Sequence, residues 1–180
     1  MAGMLGAVAG GDDTGELVMT RDTPAELEQL YALHARALTQ TLRAGGFPDA
    51  ADAVQEAFVQ AVVHWRKVSR YDDPLAWIRR VAINRGHNRR RSRNRQAALQ
   101  QRMAAVATEA APAVDADDEL AALIAALPQQ QRLALSLFYF ADLSVAETAD
   151  AMKLSEGAVK YHLHAARTSL ARSLGSPDDS

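Results

Sequence analysis

The stretch Leu143–Ala171, "LSVAETADAMKLSEGAVKYHLHAARTSLA", decides how this chain folds. Ser144 and Glu147 have the S-x-x-E spacing in which two side chains satisfy free N–H groups at a helix start. Helix propensity lapses at Lys153 and Leu154, and Ser155 is placed to cap a second helix. In that helix Val159, Leu163, Ala166 and Leu170 recur at the 3.6-residue period and form one apolar face. Gly157, Lys160, Tyr161, His164 and Thr168 lie opposite. Ala149 is small where a neighbouring helix must come close. The pattern predicts a helix-turn-helix with an apolar back and a polar, partly basic front, suited to a DNA major groove. An ordinary helical hairpin with a wet face is the plain alternative.

Outward from this motif the chain reads as all-α. Alanine and leucine are abundant, and proline falls mostly at element starts. One helix should open with Thr23 as cap and Pro24 in its first turn, and stop at Gly45 and Gly46. A second spans "FPDAADAVQEAFVQAVVHWRKV", and a third begins with Asp73 as cap and Pro74 at its first position. Residues 96–117 are rich in alanine and polar side chains, with Pro112 and an acidic cluster, and read as a linker, helical at most at its beginning. The expected organisation is a tail over 1–22, a helical unit over 23–95, the linker over 96–117, a second helical unit over 118–175, and a frayed end over 176–180. Few contacts should cross between the two units.

Charge is segregated. The stretch Trp77–Arg95, "WIRRVAINRGHNRRRSRNR", holds eight arginines and no acid. The other 12 basic residues face 22 acidic ones, in a chain of net charge −2. So dense a run repels itself and suggests a polyanionic partner, the bland alternative being a solvated helix end. On a helical wheel Arg80, Asn84, His87, Asn88 and Arg91 share one sector. Leu75, Ile78 and Ala82 lie broadly opposite, with Trp77 and Val81 on the border. Arginine holds phosphates and stacks on unpaired bases, and asparagine reads a base edge. This chemistry suits opened, single-stranded nucleic acid. Trp77 could stack on a base but is placed as a core residue at least as well.

The second predicted helix turns Val54, Phe58, Ala61 and Trp65 to a core. Its other face mixes Asp52, Gln55, Glu56 and Gln60 with Val59 and Val63, which reads equally as a protein-binding surface or as an amphipathic face covered by the first helix. No catalytic constellation is visible: no cysteine, phosphate-binding loop, dinucleotide glycine pattern or H-E-x-x-H. His162 and His164 are two apart, a spacing that does not share one helix face for a metal. No cofactor, metal site or enzymatic activity is expected. No apolar run approaches the roughly 20 residues needed to cross a bilayer. The start, "MAGMLGAVAGGDDTGE", lacks the basic residues of a signal peptide. Absence of cysteine fits a reducing compartment.

Three pieces, in order, resemble the extracytoplasmic-function (ECF) sigma factors, bacterial promoter-recognition subunits. "DAVQEAF" at Asp52–Phe58 resembles the part that docks on core RNA polymerase. "PLAWIRRVAINRGHNRRR" at Pro74–Arg91 resembles the part that melts and reads the minus-ten element. Leu127–Ala171 resembles region 4, which reads the minus-thirty-five element. The match covers about residues 24–173. The resemblance implies that Asp52, Gln55, Glu56 and Val59 face polymerase, and that Arg80, Asn84, His87, Asn88 and Arg91 meet the non-template strand. Ser155, Gly157, Lys160, Tyr161 and His164 would enter the major groove, with Arg167 on phosphate. Two residues depart from the family pattern. Asn88 stands where many relatives carry Asp, which puts minus-ten preference in doubt. Ala165 stands where many carry a basic residue, which removes one DNA contact. The partners implied are core RNA polymerase and promoter DNA in the cytoplasm, with an anti-sigma factor as a further candidate and no membrane insertion.

Three other readings compete. A conventional helix-turn-helix regulator would need a dimer seam, and no extended heptad pattern is present. An RNA-binding module would use the Arg89–Arg95 cluster. A helical adaptor would never touch nucleic acid.

Overall fold

The computed structural model describes residues 24–103 and 119–174. Both expected tails, Thr23, residues 104–117 of the expected linker, and residues 118 and 175 of the expected second unit lie outside the described residues. Those described form seven helices and no strand: α1 (Ala25–Ala44), α2 (Ala50–Val68), α3 (Pro74–Met103), α4 (Glu119–Ala126), α5 (Gln129–Tyr139), α6 (Val145–Met152) and α7 (Glu156–Leu174).

The helix ends follow local chemistry. Pro24 is the N-cap of α1 rather than part of its first turn. Its carbonyl accepts from the N–H groups of Leu27 and Glu28 at 2.9 and 3.1 Å. Proline suits the place because its ring fixes φ and it has no N–H to leave unpaired. Gly46 ends the α1 corner at φ +89°, a conformation L side chains resist. Asp73 caps α3 by accepting from the Ala76 N–H at 3.0 Å. The Ser144–Glu147 capping box forms in both directions. Lys153 closes α6 at φ 56°, the Leu154 N–H reaches the Ala149 carbonyl at 2.9 Å, and Ser155 Oγ accepts from the Ala158 N–H at 3.2 Å. The expected helix-turn-helix is therefore α6–α7. Helix α3 continues to Met103, past the expected linker start, since alanine, leucine and glutamine carry it on with no glycine or proline to stop it.

Helices α1–α3 close around Leu27, Leu38, Leu42, Phe47, Val54, Phe58, Ile78, Ala82 and Ile83, all buried. Trp65, Trp77 and Val81 pack on this core from its margin, and Leu75 is only half-buried. The α7 back, Val159, Leu163 and Ala166, is buried against α5 and α6.

The two units are not separate. Helix α5 is apolar on two sides. Ala134, Leu135 and Phe138 serve the clusters shared with α6 and α7, while Leu133 and Leu137 enter the α1–α3 core together with Leu143 and Ala151. The expectation that few contacts cross is corrected here, because a helix apolar around most of its girth must bury more than one face. Leu133 lies so close to Gly45 that a Cβ there would stand 2.9 Å from Leu133 Cδ1. Gln129 Nε2 donates to the Gly45 carbonyl at 3.0 Å, and Arg80 on α3 bonds Asp150 on α6. Burying a leucine is worth about 1.5–3 kcal/mol, against about 0–1 kcal/mol for a surface ion pair. Leu133 and Leu137 therefore hold the seam, and Arg80–Asp150 registers it.

Candidate nucleic-acid interface

Helix α3 carries two kinds of arginine. One row turns to α2. Arg85 Nε lies 3.7 Å from Glu56, Arg89 bonds Asp52 at 3.1 Å and also Glu56, and Arg93 Nε meets Asp49 at 3.0 Å. The bond that Arg89 donates to Glu56, with the nearby acids, holds the Arg89 guanidinium above its ordinary pKa. Part of the self-repulsion read from the sequence is thus relieved inside the protein. The matching signal was legible as arginines at 85, 89 and 93, each four apart, facing acids at 49, 52 and 56.

The second row is the expected stripe. Arg80 is engaged by Asp150, and its neighbour Arg79 lies beside Asp73, Glu147 and Asp150, with burial lowering its pKa against their pull. Asn84 and His87 are half-buried on a shallow surface that they share with Arg90, Arg91, Asn94, Gln129 and Gln130. The His87 and Phe47 rings stand perpendicular with their centres 4.9 Å apart, and burial, then Arg91 and Arg90, lowers the His87 pKa, keeping it neutral near pH 7. Asn88 and Arg91 are exposed, and Arg91 donates to Asn88 Oδ1 at 2.8 Å. All five residues lie on one rigid helix, and the α5–α6 side partly covers the end nearest Arg80.

Of the residues expected to face polymerase, Gln55 and Val59 are exposed, whereas Asp52 and Glu56 are tied to Arg89. All four, with Gln60, Arg85 and Arg89, line a groove between α2 and α3. One surface was missed in the sequence. Val63, His64, Arg66, Lys67, Arg70 and Tyr71 form a basic, partly aromatic hollow where α2 ends, with the His64 ring 6.4 Å from Trp77. Arg66, Lys67 and Arg70 leading into Tyr71 were its signal, hidden by the denser arginine run downstream.

On α7, Gly157, Lys160, Tyr161 and His164 are exposed on the side opposite Val159, Leu163 and Ala166, and Ser155 stands at the helix start. Lys160 is 3.8 Å from Glu156. Arg167 is held over α5: its Nε donates to the Tyr139 hydroxyl at 3.0 Å, with its guanidinium 5.6 Å from the Tyr139 ring centre. No described helix is long and apolar enough to cross a membrane.

A cluster of polar side chains on α3 and a second on α7 is an arrangement with known parallels. A model of sigma-70 region 2 matches residues 29–96, and a model of sigma-70 region 4 matches residues 117–170. The ECF RNA polymerase sigma factor SigF of Caulobacter vibrioides (strain NA1000 / CB15N) is 33% identical over 164 residues, 87% of this chain and 89% of SigF. The chain belongs to the ECF family of RNA polymerase sigma factors. Sigma factors of this family direct promoter-specific transcription with core RNA polymerase, and the conventional regulator is not favoured. The uncharacterized protein R00370 of Rhizobium meliloti (strain 1021) is 31% identical over 135 residues, 68% of this chain but 32% of that protein, so this sigma factor spans about a third of it. Among solved structures, the sigma factor RpoE in complex with the anti-sigma factor NepR from Bartonella quintana matches with a TM-score of 0.69 at 21% identity, over 87% of this chain and all of RpoE. CnrH in complex with the cytosolic domain of CnrY matches with a TM-score of 0.57 at 27% identity, over 86% and 89%. The RpoE likeness is one of fold.

Proposed function

We propose that this sigma factor divides its work between a unit over 23–95 and a unit over 118–175, joined by 96–117. Ser155, Gly157, Lys160, Tyr161 and His164 read the minus-thirty-five element in the major groove, with Arg167 on phosphate. Arg80, Asn84, His87, Asn88 and Arg91 read the melted minus-ten strand, and the hollow at Arg66, Lys67 and Tyr71 continues its path. The α2–α3 groove, through Gln55, Val59 and the Arg89-bound acids Asp52 and Glu56, faces core polymerase. The factor works in the cytoplasm without catalytic activity of its own, and an anti-sigma factor is a partner, as for RpoE.

One observation carries this reading: both polar stripes project from helices whose opposite faces are locked into apolar cores, which is what base reading needs. The test is run-off transcription with core polymerase on a promoter library randomised at both elements. Two enriched motifs at fixed spacing are expected. Lys160→Ala with His164→Ala should relax the upstream motif alone, with about 1–3 kcal/mol lost per base contact. Transcription that does not depend on the added chain would overturn the reading.

A further inference from the structure

A second hollow opens beside the α3 stripe, where α3, α5 and the α1–α2 corner meet. Arg90, Arg93, Asn94 and Gln100 come to it from α3, Arg132 from α5, and Gly46 from the corner. Its volume, about 560 Å³, falls within the range of small-ligand sites. No carboxylate and no aromatic ring lines it. None of Arg80, Asn84, His87, Asn88 and Arg91 lines it either, so it stands apart from the residues assigned to the minus-ten strand.

The charges in this hollow are unbalanced. Arg93, on its rim, is shared with Asp49 at 3.0 Å. Arg90 and Arg132 are half-buried and have no acidic partner among the described residues. Burial, then the Arg90 charge, lowers the Arg132 pKa, so the two guanidiniums repel each other across the seam. Arg132 is nevertheless fixed in place. Its Nη1 donates to the Ala125 carbonyl at 2.7 Å, and a Cβ on Gly46 would collide with its guanidinium. Its Nε is buried with no hydrogen-bond partner among the described residues. Two like charges held together, one of them short of acceptors, weigh against the fold. An anion in the hollow would offset the repulsion and supply acceptors.

We propose that this hollow binds a small ligand through a diphosphate group, with Arg90 and Arg132 each holding one phosphate and Asn94 and Gln100 donating amide N–H groups. The planar fork of arginine matches phosphate oxygens two at a time, and a side-chain amide supplies further donors. Two cations on different helices suit two linked phosphates better than one. With no ring to stack a base, the phosphates themselves are what the site recognises, a chemistry that free diphosphate and a nucleoside diphosphate share. With no carboxylate, the lining holds no divalent cation of its own. A ligand gripped by α3 and α5 together binds only the folded chain and so stabilises it.

The test is calorimetric titration of the full-length chain with sodium pyrophosphate in magnesium-free buffer, alongside thermal melts with and without it. Sodium sulfate and orthophosphate at matched ionic strength are the comparison anions. Pyrophosphate should bind at a single site, raise the thermal midpoint, and bind at least about tenfold more tightly than either comparison anion. Arg132→Gln and Arg90→Gln should each weaken it at least about tenfold, as expected for loss of charge-assisted bonds. Arg172→Gln, at the exposed end of α7, removes the same charge and should leave binding unchanged. Arg90→Gln should also raise the midpoint of the ligand-free chain, because it relieves the repulsion on Arg132. Adenosine diphosphate distinguishes the sources: affinity above that of pyrophosphate points to a nucleotide, affinity below it to free diphosphate. Sulfate binding as tightly as pyrophosphate would mean an adventitious ion only and overturn the site. So would pyrophosphate binding that both glutamine variants retain. A short single-stranded oligonucleotide that displaces pyrophosphate, and itself depends on Arg90 and Arg132, would give the hollow to the DNA backbone and overturn the small-ligand site.

Discussion

Phe47 lies directly on Gly86. A Cβ built on Gly86 would stand 2.8 Å from Phe47 Cδ1 and 3.1 Å from Cε1. The ring, 1% exposed, is thereby seated on the backbone of α3, and the α1–α2 corner is pinned to the middle of that helix.

Gly86→Ala should therefore destabilise the protein. Alanine in a helix interior gains about 1 kcal/mol over glycine, but overpacking a filled core costs about 1–3 kcal/mol. The Phe47 ring cannot swing away freely, since the His87 ring stands perpendicular to it with the ring centres 4.9 Å apart. A net loss of about 1 kcal/mol is expected, read as a lower urea midpoint with an unchanged slope. Gly86→Leu should lose more. A midpoint that rises for alanine would mean that the corner yields and the helix gain prevails.

The α2–α3 groove calls for two kinds of substitution with different signatures. Glu56→Arg breaks the pairing with Arg89 and Arg85 and adds a like charge between them, so stability should fall by about 1 kcal/mol along with polymerase binding. Val59, 44% exposed, has no such internal duty on the groove. Val59→Glu should weaken co-purification with core polymerase while its thermal midpoint stays within about 0.5 kcal/mol of the wild type. If Val59→Glu binds polymerase normally, the groove is not the docking surface, and the α2 acids serve α3 alone.

Much of this was legible because it is local. The capping box, the Asp73 cap and the Ser155 cap each involve residues three apart, so the sequence shows both partners at once. The α7 faces follow from one period. The α3 stripe was found for the same reason, but its surroundings were not. Ile83 and Gly86 were missed as core because an arginine-rich context hides them, and the contact that buries Gly86 comes from Phe47, distant in sequence. Leu133 and Leu137, four apart in α5, were not singled out in the sequence. That they serve the other unit is visible only when α5 is seen to be apolar on two sides. Arg80–Asp150, seventy residues apart, has no sequence signature at all.

His87 should give the stability curve a defined slope. Its folded pKa is lowered by burial, then by Arg91 and Arg90, below the ordinary histidine value of about 6.5. Between the folded and unfolded pKa values the unfolded chain holds more protons, so stability rises with pH there. The contribution is fully present above about pH 6.5 and is lost as pH falls through the folded value. His87→Gln should flatten the urea midpoint between about pH 7 and pH 5, relative to the wild type. An identical slope in the variant would show that other groups carry it.

Asn84→Ala should let the holoenzyme reach its promoter yet fail to read one melted base. Asn84 projects from the part of α3 that Ile78, Ala82 and Ile83 anchor in the core, so its amide is held on a rigid support. Arg80 lies about one turn before it and Arg91 about two turns after, positions from which two guanidiniums can hold phosphates on either side. The amide between them has a donor and an acceptor for a flipped base edge. Those arginines supply most of the salt-dependent affinity, so its loss should relax discrimination by about 1–3 kcal/mol at one position and leave the salt slope intact. In the free chain Arg80 is bound to Asp150, so the defect should appear with polymerase present and shrink without it. Permanganate footprinting on duplex and pre-melted templates, each varied at single minus-ten positions, locates the base. A base preference on pre-melted template identical to the wild type would show that Asn84 positions the strand and does not read it.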